Sequence, residues 1–265
     1  MKIITTRPRK GQINLLGTWS LYRREVMRFF KISSQTFIAP VITALLFLAI
    51  CKLAFSGDGR SMGSVSFAEF LVPGLTLMAL MTAAFANASF SLMFEKIVET
   101  IVDTLMPPMT PNELVIGYVL SSTTRGLLVG SAVLLAMTFF VNLNIHSWPL
   151  VIFYAISASI LMSLLGLITA IWAEKIDHVA SINNFVILPL TFLSGTFYST
   201  QFLPETFAKI AHFNPFFYLI DGFRYGFIGA HDGNLKIGML ILILLMLMLW
   251  LLCVKLFSSG YKLRS

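Results

Sequence analysis

Charge is scarce in this chain. Of its 265 residues only 12% are Asp, Glu, Lys or Arg, about half of what a water-soluble domain carries. Hydrophobic residues make up 57%, and the mean hydropathy is +0.84. A soluble globule and a disordered chain are both excluded. Cysteine is nearly missing: Cys51 and Cys253 each sit in an apolar run, which rules out a disulfide framework and leaves no Cys/His spacing for a metal. The four histidines (His146, His178, His212 and His231) are scattered, with no H-E-x-x-H. No G-x-x-x-x-G-K-[ST] occurs, so the chain holds no phosphate-cradling loop of that kind. Clustered nucleophile, base and acid are also wanting, and Leu193-Ser194-Gly195 has the flanks of neither a nucleophile elbow nor an intramembrane serine protease. Acidic residues are the rarer sign, 12 against 19 Lys and Arg, for a net charge of +7. The basic residues crowd the two ends, where membrane topology accounts for them without nucleic acid as a partner.

What is present is long apolar sequence. Uncharged stretches cover 32–51, 70–94, 126–173, 178–204 and 237–254, each long enough to cross about 30 Å of hydrocarbon. The third is too long for one crossing and breaks at Asn142-Leu-Asn-Ile-His-Ser-Trp-Pro149, a polar, turn-forming segment with an interfacial Trp. Six spans are therefore expected, at about 32–51, 70–93, 120–141, 149–172, 180–200 and 237–256. An even count places both termini on one side. Putting them in the cytoplasm leaves 14 Lys/Arg inside against five outside (Lys52, Arg60, Lys209, Arg224 and Lys236), so both termini are expected to be cytoplasmic. The first 31 residues show no cleavable signal pattern, so the first span is expected to serve as the insertion signal. Glu69, Lys52, Arg125, Lys255 and Glu174 fall at expected span ends, leaving the span cores without ionisable groups. That disfavours a proton or sodium relay. The lack of a repeat between the two three-helix halves withdraws support from an inverted-repeat carrier.

Three segments between spans carry information. In 15–31, Leu15, Trp19, Tyr22, Val26, Phe29 and Phe30 share one helical face, with Arg24, Arg28 and Lys31 opposite. This reads either as an in-plane interfacial helix or as a simple positive-inside flank. In 94–105, Phe94, Ile97, Val98, Ile101, Val102 and Leu105 form an apolar arc, while Glu95, Lys96, Glu99, Thr100, Asp103 and Thr104 take the rest. A short amphipathic helix is expected there. It is followed by Met106-Pro-Pro-Met-Thr-Pro111, where Pro107, Pro108 and Pro111 stop the helix and stiffen the return through Thr110 to Glu113. Lying on lipid is one reading. The acidic face, mismatched to an anionic leaflet, favours a protein partner. The third segment, 204–232, is rich in aromatics and is divided by Asn214-Pro215. Its uncharged part is too short to span, so a hairpin dipping into the outer interface is expected, either capping a pathway or serving as an aromatic belt. Asp221 and Arg224 stand at i and i+3 and are expected to pair.

Taken in order, the interfacial helix, the acidic helix and proline run from Phe94 to Glu113, Pro189-Leu-Thr-Phe-Leu-Ser194-Gly195, Pro204, Asn214-Pro215 and Phe223-Arg224-Tyr-Gly226 resemble the permeases of the ABC-2 type transporter family over essentially the whole chain, with Phe213 and Tyr218 inside the segment matching the family's outer re-entrant helices. The resemblance implies an all-α polytopic membrane protein: six transmembrane helices, an N-terminal interfacial helix, a cytoplasmic coupling helix over 94–113, and outer re-entrant helices over 204–232. It further implies a homodimer that binds two copies of a separate cytoplasmic ATPase, with ATP and Mg held by that partner and no cofactor in this chain. The work implied is export of an amphiphilic, lipid-linked or glycan-type substrate. An ATP-independent secondary transporter or channel is the alternative.

Overall fold

A computed structural model describes residues 14–55, 61–62, 65–143, 145–199 and 204–263. The basic residues Lys2, Arg7, Arg9, Lys10, Arg60 and Arg264, and the expected end of the fifth span at 200, lie outside the described residues. Apart from one pair of two-residue strands, Ser61–Met62 against Val65–Ser66, the regular structure is helical.

Helix α1 (Leu15–Lys31) is capped by Asn14, whose side chain accepts from the Gly17 amide. A five-residue π-helical turn, Ser34–Ile38, leads into α2 (Ala39–Phe55). Helix α3 (Phe67–Ile97) opens with a capping box between Ser66 and Glu69. The short α4 (Ile101–Leu105) follows, then α5 (Pro111–Thr138), which has a second capping box between Thr110 and Glu113 and Pro111 at its first position. Helix α6 (Trp148–Trp172) starts just past the polar break that divides the longest apolar stretch. Helix α7 (Ile176–Ile182), a π-helical turn (Asn183–Ile187) and α8 (Leu188–Leu193) run on as one segment. Helices α9 (Glu205–Phe213) and α10 (Pro215–Ile228) precede α11 (Leu235–Ser259), which ends on Gly260 at φ 66.

Among the described residues six segments are long and apolar enough to cross a membrane: Ser34–Leu53, α3, α5, α6, Ile176–Leu193 and α11. They do not share the interior equally. The most apolar window of α3 is 67% buried and that of α6 61%, against 17% for Ser34–Leu53 and for Ile176–Leu193. The core is thus α3, α5 and α6 with α10 wedged against them, and Leu77, Met81, Phe85, Tyr118, Tyr154 and Leu161 are fully enclosed. Close approach is made possible by small residues. A Cβ on Gly222 of α10 would stand 2.0 Å from Cζ of Tyr154 on α6. One on Gly74 of α3 would stand 2.5 Å from the Thr196 carbonyl oxygen.

Two expectations are corrected. Helix α5 begins at Pro111 rather than near 120, so Arg125 lies midway along it and not at a span end. The amphipathic helix expected over 94–105 is two pieces: α3 runs to Ile97, the chain turns through Val98–Thr100 with Glu99 at φ 60, and α4 is a separate turn. A left-handed, non-glycine residue ends an α-helix where the next segment must leave at a new angle.

Candidate functional site: an ionic cluster beneath a short helix

Helices α1, α3, α4 and α5 meet at a knot of charge. Glu25, on the buried stripe Thr18, Leu21, Glu25, Phe29 of α1, is 1% exposed. It accepts from the Ser91 hydroxyl, from Arg24 Nη2 at 3.1 Å and from Arg28 Nη2 at 3.0 Å. Glu95, 8% exposed near the end of α3, is ion-paired to Arg24 through Oε1. Its Oε2 accepts from Tyr118 of α5 and Thr104 of α4, both at 2.8 Å. Arg24 also donates to Thr104 Oγ1 at 2.9 Å. Burial works to lower the Arg24 pKa, but the carboxylates of Glu95 and Glu25 outweigh it and hold the guanidinium above its ordinary value. Buried carboxylates are tolerable because every oxygen has a donor. Two further contacts fasten the same end of the molecule. Glu113 accepts the Asn14 and Thr110 amides at 2.6 and 2.7 Å, tying α1 to α5. Lys96 Nζ donates to the Ala170, Ile171 and Ala173 carbonyls at 3.0, 2.9 and 2.6 Å, satisfying the last carbonyls of α6.

The expected polarity of 94–105 holds only in part. Phe94, Ile97, Val98, Val102 and Met106 are exposed, Phe94 at 58%, whereas Glu95, Ile101 and Thr104 are buried. The reason is physical: Glu95 faces α1 and α5, where its donors stand, and the kink at Glu99 turns α4 so that Ile101 and Thr104 follow it inward. Glu99, Thr100 and Asp103 remain at the surface, Leu105 is half-buried, and Pro107 and Pro108 are exposed before the cap at Thr110. Beside the exposed apolar residues lies a recess of about 620 Å³ walled by Ile97, Glu99, Val102, Glu174 and Lys262. There Lys262 pairs with Glu174 at 2.6 Å and holds that carboxyl below its ordinary range.

At the opposite end of the bundle the motif residues converge on one another. Asn214 Nδ2 donates to the Leu190 carbonyl at 2.7 Å and to Ser194 Oγ at 2.8 Å, while its Oδ1 caps Phe216. Arg224 Nη2 donates to the Gly195 carbonyl at 2.5 Å, and its guanidinium lies 3.8 Å from the centroid of the Phe70 ring. Gly195 takes φ 77. Asp221 does not pair with Arg224 as expected: it accepts the Asp232 and Gly233 amides at 2.8 and 2.9 Å, which satisfy it locally. Burial still pushes its pKa up. Pro215 opens α10, Tyr218 packs on Gly238, Pro189 sits exposed in the first turn of α8, Pro204 caps α9, and Phe213 is 90% exposed.

Glu25 and Tyr118 escape a reading by segment. Glu25 carries a signal all the same: it is the sole acid among the first 57 residues, in a helix otherwise flanked by bases.

Six apolar helices, with a charged knot sealing one end of their packed core, define a multi-pass helical membrane protein. The chain belongs to the ABC-2 type transporter family, whose model matches residues 17–228. It is 35% identical over 246 residues, 93% of this chain and 96% of the relative, to the inner membrane transport permease YadH of Escherichia coli (strain K12). It is 25% identical over 256 residues, 92% of each, to Nodulation protein J of Sinorhizobium fredii (strain NBRC 101917 / NGR234). It is also 26% identical over 239 residues, 87% of this chain and 89% of the relative, to Nodulation protein J of Rhizobium leguminosarum bv. viciae. It is thus a multi-pass inner membrane permease of a family that generally works with an ATPase subunit.

Proposed function

We propose that this chain is the permease subunit of an ATP-driven exporter. Two copies form the pathway, two copies of a cytoplasmic ATPase bind ATP and Mg, and the cargo is amphiphilic, lipid-linked or glycan-type. The observation that carries the reading is the surface around α4. Phe94, Ile97, Val98, Val102 and Met106 are bare although Glu95 and Thr104, between them in sequence, are locked into the bundle. An apolar patch held rigidly from behind and rimmed by Glu99 and Asp103 is what a docking protein needs. In this reading the α4 end and both termini are cytoplasmic. The α4 turn seats on the ATPase, and the ionic knot passes its displacement to α1, α3 and α5 as a rigid body. The α9–α10 hairpin then lies at the outer boundary, near the exit.

The test uses exposed positions, because a charge reversal at Glu95 would demolish the knot itself. Val98→Asp with Val102→Asp is expected to leave membrane insertion intact and to abolish co-purification of a P-loop ATPase in mild detergent. Full co-purification by the double variant would overturn the docking assignment. Solute flux by the lone reconstituted chain without nucleotide would replace the exporter by an ATP-independent carrier.

A further inference from the structure

Between α2, α3 and the α7–α8 segment runs a cavity of about 1040 Å³. Its walls are mostly apolar, with Phe47, Leu75, Met78, Phe90, Phe192 and Phe197 among them. Phe47, Phe90 and Phe192 are exposed along its open side. Two guanidiniums, Arg28 of α1 and Arg125 of α5, line the same cavity. Both reach for one neutral acceptor: Asn87 Oδ1 takes Arg125 Nη1 at 3.3 Å and Arg28 Nη2 at 3.5 Å. The Asn87 amide is oriented by donating to Ser122 Oγ at 3.0 Å.

The charges around this point do not balance. Arg24, Arg28 and Arg125 stand against Glu25 and Glu95, and the carboxylates are taken by Arg24 and Arg28. Among the described residues Arg125 has no carboxylate, and its Nε is buried with no hydrogen-bond partner there. A cation placed midway along a membrane-spanning helix is not retained without a counter-charge or a polar pathway, and a guanidinium fork matches a phosphate better than any single amide oxygen does. Along α3, Leu75 lies 12 residues beyond Asn87, so about 18 Å of cavity wall at 1.5 Å per residue continues past the arginines as apolar surface.

We infer that this cavity binds an amphiphile with a phosphate-bearing headgroup, the headgroup held by Arg28 and Arg125 and the chains laid along the wall toward Leu75. The site deepens the export reading by naming the headgroup chemistry of the cargo, and its test needs neither ATPase nor transport, so the two can fail separately.

The full-length chain is purified in mild detergent, equilibrated with equal phosphatidylglycerol and phosphate-free digalactosyldiacylglycerol, and the retained lipid is counted by native mass spectrometry. The chain is expected to retain phosphatidylglycerol in preference. Arg125→Gln is expected to lower that preference about tenfold, as the loss of one charge-assisted contact does. Arg125→Lys recovers part of it, and Arg23→Gln, an exposed cation off the cavity, leaves it unchanged. Ala86→Trp, which fills the cavity without touching charge, is expected to expel both lipids, and it carries the test if Arg125→Gln fails to fold. A preference untouched by Arg125→Gln and Ala86→Trp overturns the proposal. So does displacement of phosphatidylglycerol by inorganic phosphate alone, which would show that the chains contribute nothing. An Ala86→Trp variant that loses self-association while keeping its lipid ratio would assign the cavity to a second copy of the chain instead.

Discussion

Replacing Glu95 by Gln tests whether the knot at the α4 end is a structural unit or a set of independent contacts. The substitution keeps the shape and leaves the Thr104 and Tyr118 hydroxyls, each 2.8 Å from Oε2, free to turn toward either amide atom. What disappears is the charge that pairs with Arg24. That pair is neither surface nor core, since the Arg24 side chain is 46% exposed and that of Glu95 11%. Exposed pairs contribute about 0–1 kcal/mol and broken buried pairs about 3–5. Roughly 2 kcal/mol is therefore expected for Glu95→Gln, about 3 for Arg24→Gln because Glu95 loses its one cation and Glu25 one of two, and a coupling of about 1 kcal/mol between them. Reversible unfolding in mixed micelles of the two single variants and the double variant measures this cycle. Additivity to within about 0.5 kcal/mol would falsify the idea that Glu95 and Arg24 act through one another, and with it the rigid coupling of α1 to α3.

Other variants probe different joints. Gly222→Ala is expected to push α10 off α6, since the new Cβ would stand 2.0 Å from Cζ of Tyr154; a cost of about 1–3 kcal/mol should appear as a lowered melting temperature, and an unchanged one would mean that the two helices separate freely. Lys96→Met removes the donor to three carbonyls and should destabilise the end of α6 by about 2 kcal/mol, seen as faster amide exchange over 169–173; no change there would show that the carbonyls find water instead. The Asp221 carboxyl is pushed above its ordinary 3.8 by burial, partly offset by the amides of Asp232 and Gly233. Its folded form therefore binds protons more readily than its unfolded form, and its contribution to stability falls as pH rises through the window just above 3.8. Asp221→Asn should flatten the melting temperature across that window; an identical slope in the variant refutes the assignment.

The residues that were legible in sequence are those with local causes. The polar break at 142–149 and Asn214-Pro215 mark where α6 and α10 begin, and unbroken apolar length marks six candidate spans among the described residues; the capping boxes at Ser66 and Thr110 show only in the structure. Pro189–Gly195, Asn214-Pro215 and Arg224 could be noticed as motifs, and their meeting explains the pattern: Asn214 binds the end of α8, and Arg224 binds Gly195. The acidic helix was misjudged because periodicity ranks faces by polarity. A carboxylate with donors on three other helices goes inward against that ranking, and no window of sequence contains Arg24, Glu95 and Tyr118 together. Arg125 was misplaced for a related reason. The first charged residue before an apolar run looks like a boundary, whereas the helix itself had begun at Pro111 with a cap and continued through the charge.

Lys96 has a mechanical consequence. One ammonium gripping three carbonyls of the 170–173 segment yokes α3 to α6, the two most enclosed helices, so in the export reading a pull at α4 displaces both as a single handle. Relative movement is then left to the helices outside that yoke. The least enclosed of these, Ser34–Leu53 and Ile176–Leu193, are also the two that contain a π-helical turn, where one surplus residue per turn lets a helix rotate its face without unwinding. In the export reading the chain divides into a stator and two vanes, and the apolar cavity lies in the gap the vanes enclose.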